Sequence, residues 1–325
     1  MLFWVWHTTK LPRQEKMSYG HSPVWWSVIA WGTVMVAHHF SKNIAFSSLL
    51  MWTLFGGLGI LYSGKGDTRY IAKKWAWNFV VIMLLGATGE FLMTTKMADS
   101  PAIFLALSWV MLLGAYPFNS WCDGFFMRSH VLLVDAWLVV VRPIIACALW
   151  EMLLSQTTFA HAYSARLGAQ IVAAASLFFV PILFFSKQNI GRLSSCLMTW
   201  QSGYLLLLLL YAPSVSAFKL FPFVFAQGMF LAIFHQNAMG CAQGQEEKSL
   251  EQLTGVSYKD PFAGMYMASA LCFFIAIPIV MLMKIMTGTA AAIIMGSLIL
   301  PAIYFLKMYR KWSKKPEEGR HEHSC

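Results

Sequence analysis

Residues 165–185 read ARLGAQIVAAASLFFVPILFF, an apolar run whose one charged residue is Arg166. About 20 helical residues cross a hydrocarbon core of about 30 Å, so this run predicts a transmembrane helix. The same pattern recurs along the chain and gives ten apolar stretches, at 24–40, 44–62, 75–93, 101–118, 129–154, 165–185, 193–212, 215–239, 263–283 and 287–308. The sequence therefore predicts an all-α, polytopic membrane protein with about ten transmembrane helices.

The composition indicates the same class of protein. The chain is 58% hydrophobic and 12% charged, with a mean hydropathy of +0.59, which is typical of a membrane protein and not of a soluble domain. We predict a short N-terminal segment (1–23), one transmembrane domain (24–308) and a basic, polar C-terminal tail (309–325). The six cysteines form no Cys-x-x-Cys pair, and we predict neither a metal nor a cofactor.

The Lys and Arg residues predict the topology. If all ten stretches span, eighteen of the 24 basic residues lie on the side that holds both termini, and five lie on the other side. Arg142 is the one basic residue left in the middle of a span. This asymmetry is the positive-inside signature, and it places both termini on the matrix or cytoplasmic side. The net charge of +10 therefore reflects topology, with membrane lipids and not nucleic acid as the expected partner.

Ionisable residues within the predicted spans are the candidate site, because each costs about 2.5–3.5 kcal/mol at that depth. Asp135 and Arg142 lie seven residues apart and share one helix face, about 10.5 Å apart in rise. We predict that both are buried charges and that a bridging water or a second helix, and not direct contact, pairs Arg142 in the interior. Glu90 either reaches the interface or supplies an acidic partner from another helix. His235 is either an interhelical hydrogen bonder or a proton relay, and Lys284 either snorkels or exchanges a proton.

Three motifs occur in the order in which a known family carries them. They are Pro117-Phe118-Asn119-Ser120-Trp121; Ser186 to Leu193 (SKQNIGRL) followed by Gln201-Ser202-Gly203-Tyr204-Leu205; and Ser249 to Gly255 (SLEQLTG) followed by Pro261-Phe262. The chain thereby resembles the antiporter-like membrane subunits of respiratory complex I. The resemblance covers about residues 36–290.

The resemblance implies a fold and a setting. The family has fourteen helices, two of them broken, so ten helices fit an antiporter-like fold that lacks the first three and the last. Loss of the first three is a feature of the subunit 2 branch of animal mitochondria. The implied helix breaks lie at Pro117 and Pro278, and the implied partners are the neighbouring membrane-arm subunits of complex I. The implied location is the mitochondrial inner membrane, or alternatively a bacterial plasma membrane.

The resemblance also assigns proton-relay positions, and most of them have changed. The family's glutamate falls near Leu49, its first lysine at Leu112, its second lysine at Arg142, and its last relay group at or near Lys284. Arginine keeps its proton under ordinary conditions, and leucine has none to give. We therefore expect a degenerate relay, with Lys284 as the surviving proton-exchanging group.

Three functions remain open at this point. The first is a membrane-arm subunit of a proton-translocating NADH:ubiquinone oxidoreductase, without a redox centre of its own. The second is a stand-alone cation/proton antiporter subunit of the same superfamily, which needs a complete titratable relay. The third is a membrane scaffold that transports nothing.

Overall fold

The computed structural model describes a large part of the chain after residue 77. The described residues are 78, 81, 82, 84, 85, 88, 89, 92, 100–128, 134, 135, 137–143, 146, 147, 150, 163–186, 189–211, 217–241, 250–285 and 289–314. The chain divides into two compact units, Met1–Trp77 and Asn78–Cys325, and the described residues all belong to the second. Every regular element in those ranges is a helix, which confirms the all-α prediction.

Most of these helices coincide with apolar stretches predicted above. Eight α-helices follow one another as α1 Ser100–Leu113, α2 Ser120–Arg128, α3 Tyr163–Phe184, α4 Ile190–Tyr211, α5 Ala217–Cys241, α6 Val256–Lys259, α7 Pro261–Ile285 and α8 Thr289–Trp312. A π-helical segment, Trp137–Val141, precedes α3, and a 3-10 helix, Leu250–Leu253, precedes α6. The predicted stretches 24–40 and 44–62 lie outside the described residues.

One helix in the described ranges is long and apolar enough to cross a membrane. It covers Arg166–Phe184, with a mean hydropathy of 2.1 over its most apolar part, and 39% of that part is buried within the protein. Two shorter apolar helices, Ile103–Leu113 and Pro261–Ala276, fall below the length of a span. The predicted count of ten transmembrane helices therefore stays a prediction.

Helix α4 lies at the centre of the described unit. It contacts α1, α2, α3, α5 and α8. Every residue from Leu193 to Leu208 is buried, including the aromatic side chains of Trp200 and Tyr204. Because neighbours surround α4, its polar side chains are buried together with its apolar ones, and they must find hydrogen-bond partners inside the protein.

Basic residues collect at one end of this unit. The Nε of Arg192, at the start of α4, donates to the sulfur of Met127 at the end of α2, and the Gly255 N–H donates to the Lys311 carbonyl at 3.2 Å. The ring of Trp312 stacks with Phe234 of α5, with centroids 6.4 Å apart. These contacts gather the ends of α2 and α8, the start of α4 and the turn before α6. Arg166 lies near the opposite end, because α3 packs antiparallel to α4.

Helix α5 approaches the π-helical segment closely at Gly228. A Cβ built on Gly228 would lie 2.0 Å from the Leu138 carbonyl oxygen, a distance at which no side chain fits. Glycine therefore allows the two backbones to touch. The contact places the residues beside Gly228 against the segment that carries Asp135 and Arg142.

This contact predicts a large effect from one methyl group. Gly228→Ala should lower the apparent Tm in mild detergent, because overpacking against a backbone carbonyl costs about 1–3 kcal/mol or more. Gly240→Ala is the matched control in the same helix, since nothing lies within 4 Å of its Cβ position. There the alanine should be neutral or stabilising by up to about 1 kcal/mol. A Tm for Gly228→Ala equal to that of the unmodified protein would contradict the contact.

Candidate functional site

The helical path is interrupted between α1 and α2, where the Pro117 motif predicts a helix break. Helix α1 ends at Leu113, Gly114 follows with φ +66°, the Tyr116–Pro117 peptide bond is cis, and α2 begins at Ser120. A positive φ is favourable for glycine and ends the helix at this point. Pro117 thus lies in the non-helical interval between Leu113 and Ser120.

The freed carbonyls at the end of α1 have partners. The Ala115 N–H donates to the Val110 carbonyl at 3.1 Å, and the indole N–H of Trp121 donates to the Met111 carbonyl at 3.1 Å. The Leu113 carbonyl accepts a hydrogen bond of 2.7 Å from the Ser202 hydroxyl, near the middle of α4. Three carbonyls of the last turn, those of Val110, Met111 and Leu113, are thus paired, and the end of α1 is bonded to the central helix.

Arg142 lies at this junction between the end of α1 and the middle of α4. Its side chain is 2% exposed, and it directly follows the π-helical segment. Nη1 donates to the Gln201 amide oxygen, and Nη2 donates to the Ser202 hydroxyl at 3.0 Å and to the Met198 carbonyl at 3.3 Å. The planar guanidinium group therefore holds three acceptors of α4 at once, which its fixed fork of donors makes possible.

Ser202 joins Arg142 to the end of α1. Its hydroxyl accepts from Arg142 and donates to the Leu113 carbonyl, so the cation lies one side chain away from the C-terminal end of a helix. That end carries partial negative charge, and a nearby cation is favourable by up to about 2 kcal/mol in partly buried geometry. Leu112, where the resemblance places the family's first relay lysine, is 2% exposed and adjoins Leu113. The two relay positions assigned by resemblance thus lie beside one hydrogen-bonded junction.

The junction continues to α5 through two glutamines. The Gln201 amide N–H donates to the amide oxygen of Gln227, and both side chains are fully buried. Among the described residues, the Arg142 Nε and the Gln227 Nε2 have no hydrogen-bond acceptor. The sequence analysis did not identify Gln201, Ser202 or Gln227 as site residues. In the sequence these residues are neutral amides or hydroxyls inside apolar stretches, whereas the site was predicted from ionisable side chains.

Asp135 is fully buried on the segment that also carries Arg142. The hydrogen bonds described for Arg142 lead to α4 and not to Asp135. The structure therefore brings both charges into the interior and gives the arginine neutral partners from a distant part of the chain.

His235 occupies a separate place. It is buried on α5, its Nδ1 lies 2.9 Å from the Ser194 hydroxyl, and its ring meets Phe126 edge-on at 5.6 Å. The Ser194 hydroxyl also lies 3.1 Å from the Ile190 carbonyl, and the tautomer of His235 decides whether Nδ1 donates to Ser194 or accepts from it. Ser194 precedes Ser202 by about 12 Å along α4, so His235 is an interhelical hydrogen bonder apart from the arginine.

The structure describes only some of the remaining predicted residues. Helix α7 runs from Pro261 to Ile285 and contains both Pro278 and Lys284, so the helix break predicted at Pro278 is not seen. Pro278 lies between Ile277 and Ile279, β-branched residues that resist the left-handed conformation Gly114 adopts beside Pro117. Glu90 and Leu49 lie outside the described residues.

Neither a protein-family model nor a curated protein matches this sequence.

The arginine junction predicts that charge alone does not suffice at this position. Arg142→Lys keeps the positive charge but replaces the planar fork by a single ammonium, which leaves buried acceptors unpaired. Each lost hydrogen bond to a charged group contributes about 1.5–3 kcal/mol, so the apparent Tm should fall clearly.

Arg310→Lys is the matched control, since Arg310 is exposed near the end of α8. Its effect should stay within about 0.5 kcal/mol. Equal Tm values for the two lysine variants would show that the fork geometry contributes nothing.

Proposed function

We propose that this chain is a non-redox membrane-arm subunit of a proton-translocating NADH:ubiquinone oxidoreductase, similar to the subunit 2 branch. In this proposal it spans the membrane about ten times with both termini on the matrix side, in the mitochondrial inner membrane or alternatively a bacterial plasma membrane. It packs between neighbouring membrane-arm subunits and carries no catalytic centre of its own.

One observation carries this proposal. Two segments that hold the resemblance, around Pro117 and around Gln201, meet at the junction of Leu113, Ser202 and Arg142. The family's successive relay lysines correspond to Leu112 and Arg142, which lie about thirty residues apart in sequence. A relay requires its members to be neighbours in space. The junction supplies that neighbourhood even though neither residue is a lysine.

The chemistry of the junction favours a structural role over proton conduction. A relay lysine works because its pKa falls readily in a dry site, whereas arginine remains charged and leucine has no proton. Three α4 acceptors also hold the guanidinium of Arg142 in place, so it does not swing from one hydrogen-bonding partner to another as a relay group must. The proposed subunit is therefore the relic of a pump, with a permanent cation where protons once passed.

Two surface features support the membrane setting. Large apolar side chains are exposed along neighbouring helices, with Ile171, Phe179 and Ile182 on α3 and Ile299 and Leu306 on α8. An extended apolar surface of this kind indicates contact with lipid or with protein. The collection of basic residues at one end of the unit agrees with the sidedness expected from the sequence.

The alternatives are a stand-alone cation/proton antiporter subunit and a pure scaffold. A stand-alone antiporter needs a titratable group at each relay position, and the residues at Leu112 and Arg142 disfavour it. The scaffold differs from the proposed subunit only in its partners.

The mass of the native assembly distinguishes these functions. Solubilisation in mild detergent should give a megadalton particle that contains this chain and oxidises NADH. A particle of tens of kilodaltons would support the antiporter, and a large particle without NADH oxidation would support the scaffold.

The pump-relic interpretation predicts that one restored lysine does not restore transfer. Leu112→Lys should leave proton flux through this chain absent, because Arg142 still occupies the next position as a fixed cation. Flux is followed by a pH-sensitive dye in liposomes that contain the purified assembly, with Leu112→Met as the volume-matched control. Proton transfer gained by Leu112→Lys alone would refute the role of Arg142 as a block.

A further inference from the structure

The hydrogen bonds that leave Arg142 have a fixed direction. A guanidinium group can only donate, so the oxygen of the Gln201 amide must face Arg142 and its NH2 group must face Gln227. The Gln227 oxygen accepts that bond, so its own NH2 group points onward. The two amides therefore form a row in which each NH2 group points away from Arg142, and the positive charge of Arg142 polarises both.

This row ends on a buried donor. Gln227 is fully buried, and its Nε2 has no acceptor among the residues that the structure describes. A buried N–H without an acceptor costs about 1–3 kcal/mol. Because each amide polarises the next, the terminal N–H should favour an anionic acceptor over a neutral one.

A buried acid lies on the element beside Gln227. Gly228, the next residue, touches the Leu138 carbonyl, and Asp135 precedes Leu138 by three residues on the same segment. Asp135 is fully buried. Gln227 and Asp135 therefore lie one and three residues, respectively, from the backbone contact that joins α5 to this segment.

We propose that Gln201 and Gln227 join Arg142 to Asp135 as an indirect ion pair. A bound water joins Gln227 to Asp135: it accepts a hydrogen bond from the terminal N–H of Gln227 and donates one to the Asp135 carboxylate. Gln227 is then a positioning residue that keeps both charges in place, and neither amide carries a proton. This inference deepens the proposed function, since it explains how a relic of a pump retains two charges in its interior.

The pairing also has a consequence for the chain's architecture. Arg142 and Asp135 lie on one segment, whereas Gln201 lies on α4 and Gln227 on α5. The indirect pair therefore closes a ring through three elements that are distant in sequence. Loss of any one of these four side chains should weaken the contacts among the three elements.

A double-mutant cycle tests the proposal on the purified full chain in mild detergent. Asp135→Asn and Gln227→Leu should each lower the apparent Tm by about 5 °C, and the loss from Asp135→Asn should shrink at least twofold in the Gln227→Leu background. Gln170→Leu is the matched control, because Gln170 is exposed on α3, and it should leave the effect of Asp135→Asn unchanged. If Gln227→Leu does not fold, Gln227→Asn takes its place, since it keeps the amide but shortens its reach.

An infrared measurement adds a readout that packing alone would not change. The carboxylate band of Asp135, identified by its loss in Asp135→Asn, should shift in Gln227→Leu and stay fixed in Gln170→Leu. Additive Tm losses or an unmoved band would overturn the proposal. So would a Tm that depends on chloride in the unmodified protein and not in Gln227→Leu, because the acceptor would then be an ion.

The outcome is independent of the proposed function. A small native particle would reject the complex I assignment and leave the cycle intact, whereas an additive cycle would reject the ion pair and leave the assignment intact.

Discussion

The buried guanidinium of Arg142 is the constraint on which the interior of this protein depends. A cation in a dry interior must be paired or well hydrogen-bonded, and here α4 supplies an amide, a hydroxyl and a backbone carbonyl. The same hydroxyl holds the end of α1. One charged group therefore fixes the positions of a broken helix, a π-helical segment and the central helix relative to one another.

Two irregular elements of the described part of the chain lie beside this group. A single π-helical turn lies directly before Arg142, and the α1–α2 break with its positive-φ glycine lies across from it. Local departures from the α-helix often mark functional sites, because they expose backbone groups and redirect side chains. Here the exposed carbonyls are satisfied by Ser202 and Trp121, so the irregularity is stabilised and not merely tolerated.

Side-chain chemistry separates a proton path from a permanent charge. Both need a polar interior with satisfied hydrogen bonds, and the arrangement of helices alone does not distinguish them. The choice of leucine and arginine does, because the first has no proton and the second keeps its own. The junction described here holds Arg142 and adjoins Leu112, which is the combination that the proposed pump relic requires.

Hydrophobic runs alone predicted most of the described helices. The stretch 165–185 corresponds to Tyr163–Phe184, and 193–212 corresponds to Ile190–Tyr211. These helices were predictable because the apolar character of a helix is set by consecutive residues. Proline chemistry and the resemblance both indicated helix breaks at Pro117 and Pro278. Pro117 lies in a non-helical interval, whereas α7 continues through Pro278.

The sequence by itself determined the all-helical class, the helix positions and the presence of a buried arginine, since these follow from local composition. Only the tertiary structure decided the partners of that arginine. Gln201 and Ser202, which bond to the arginine, and Gln227, which bonds to Gln201, are neutral residues 59 to 85 positions away, and the sequence alone does not show that they meet. Hydrogen bonds between distant helices depend on which faces pack together, and that is a property of the assembled fold.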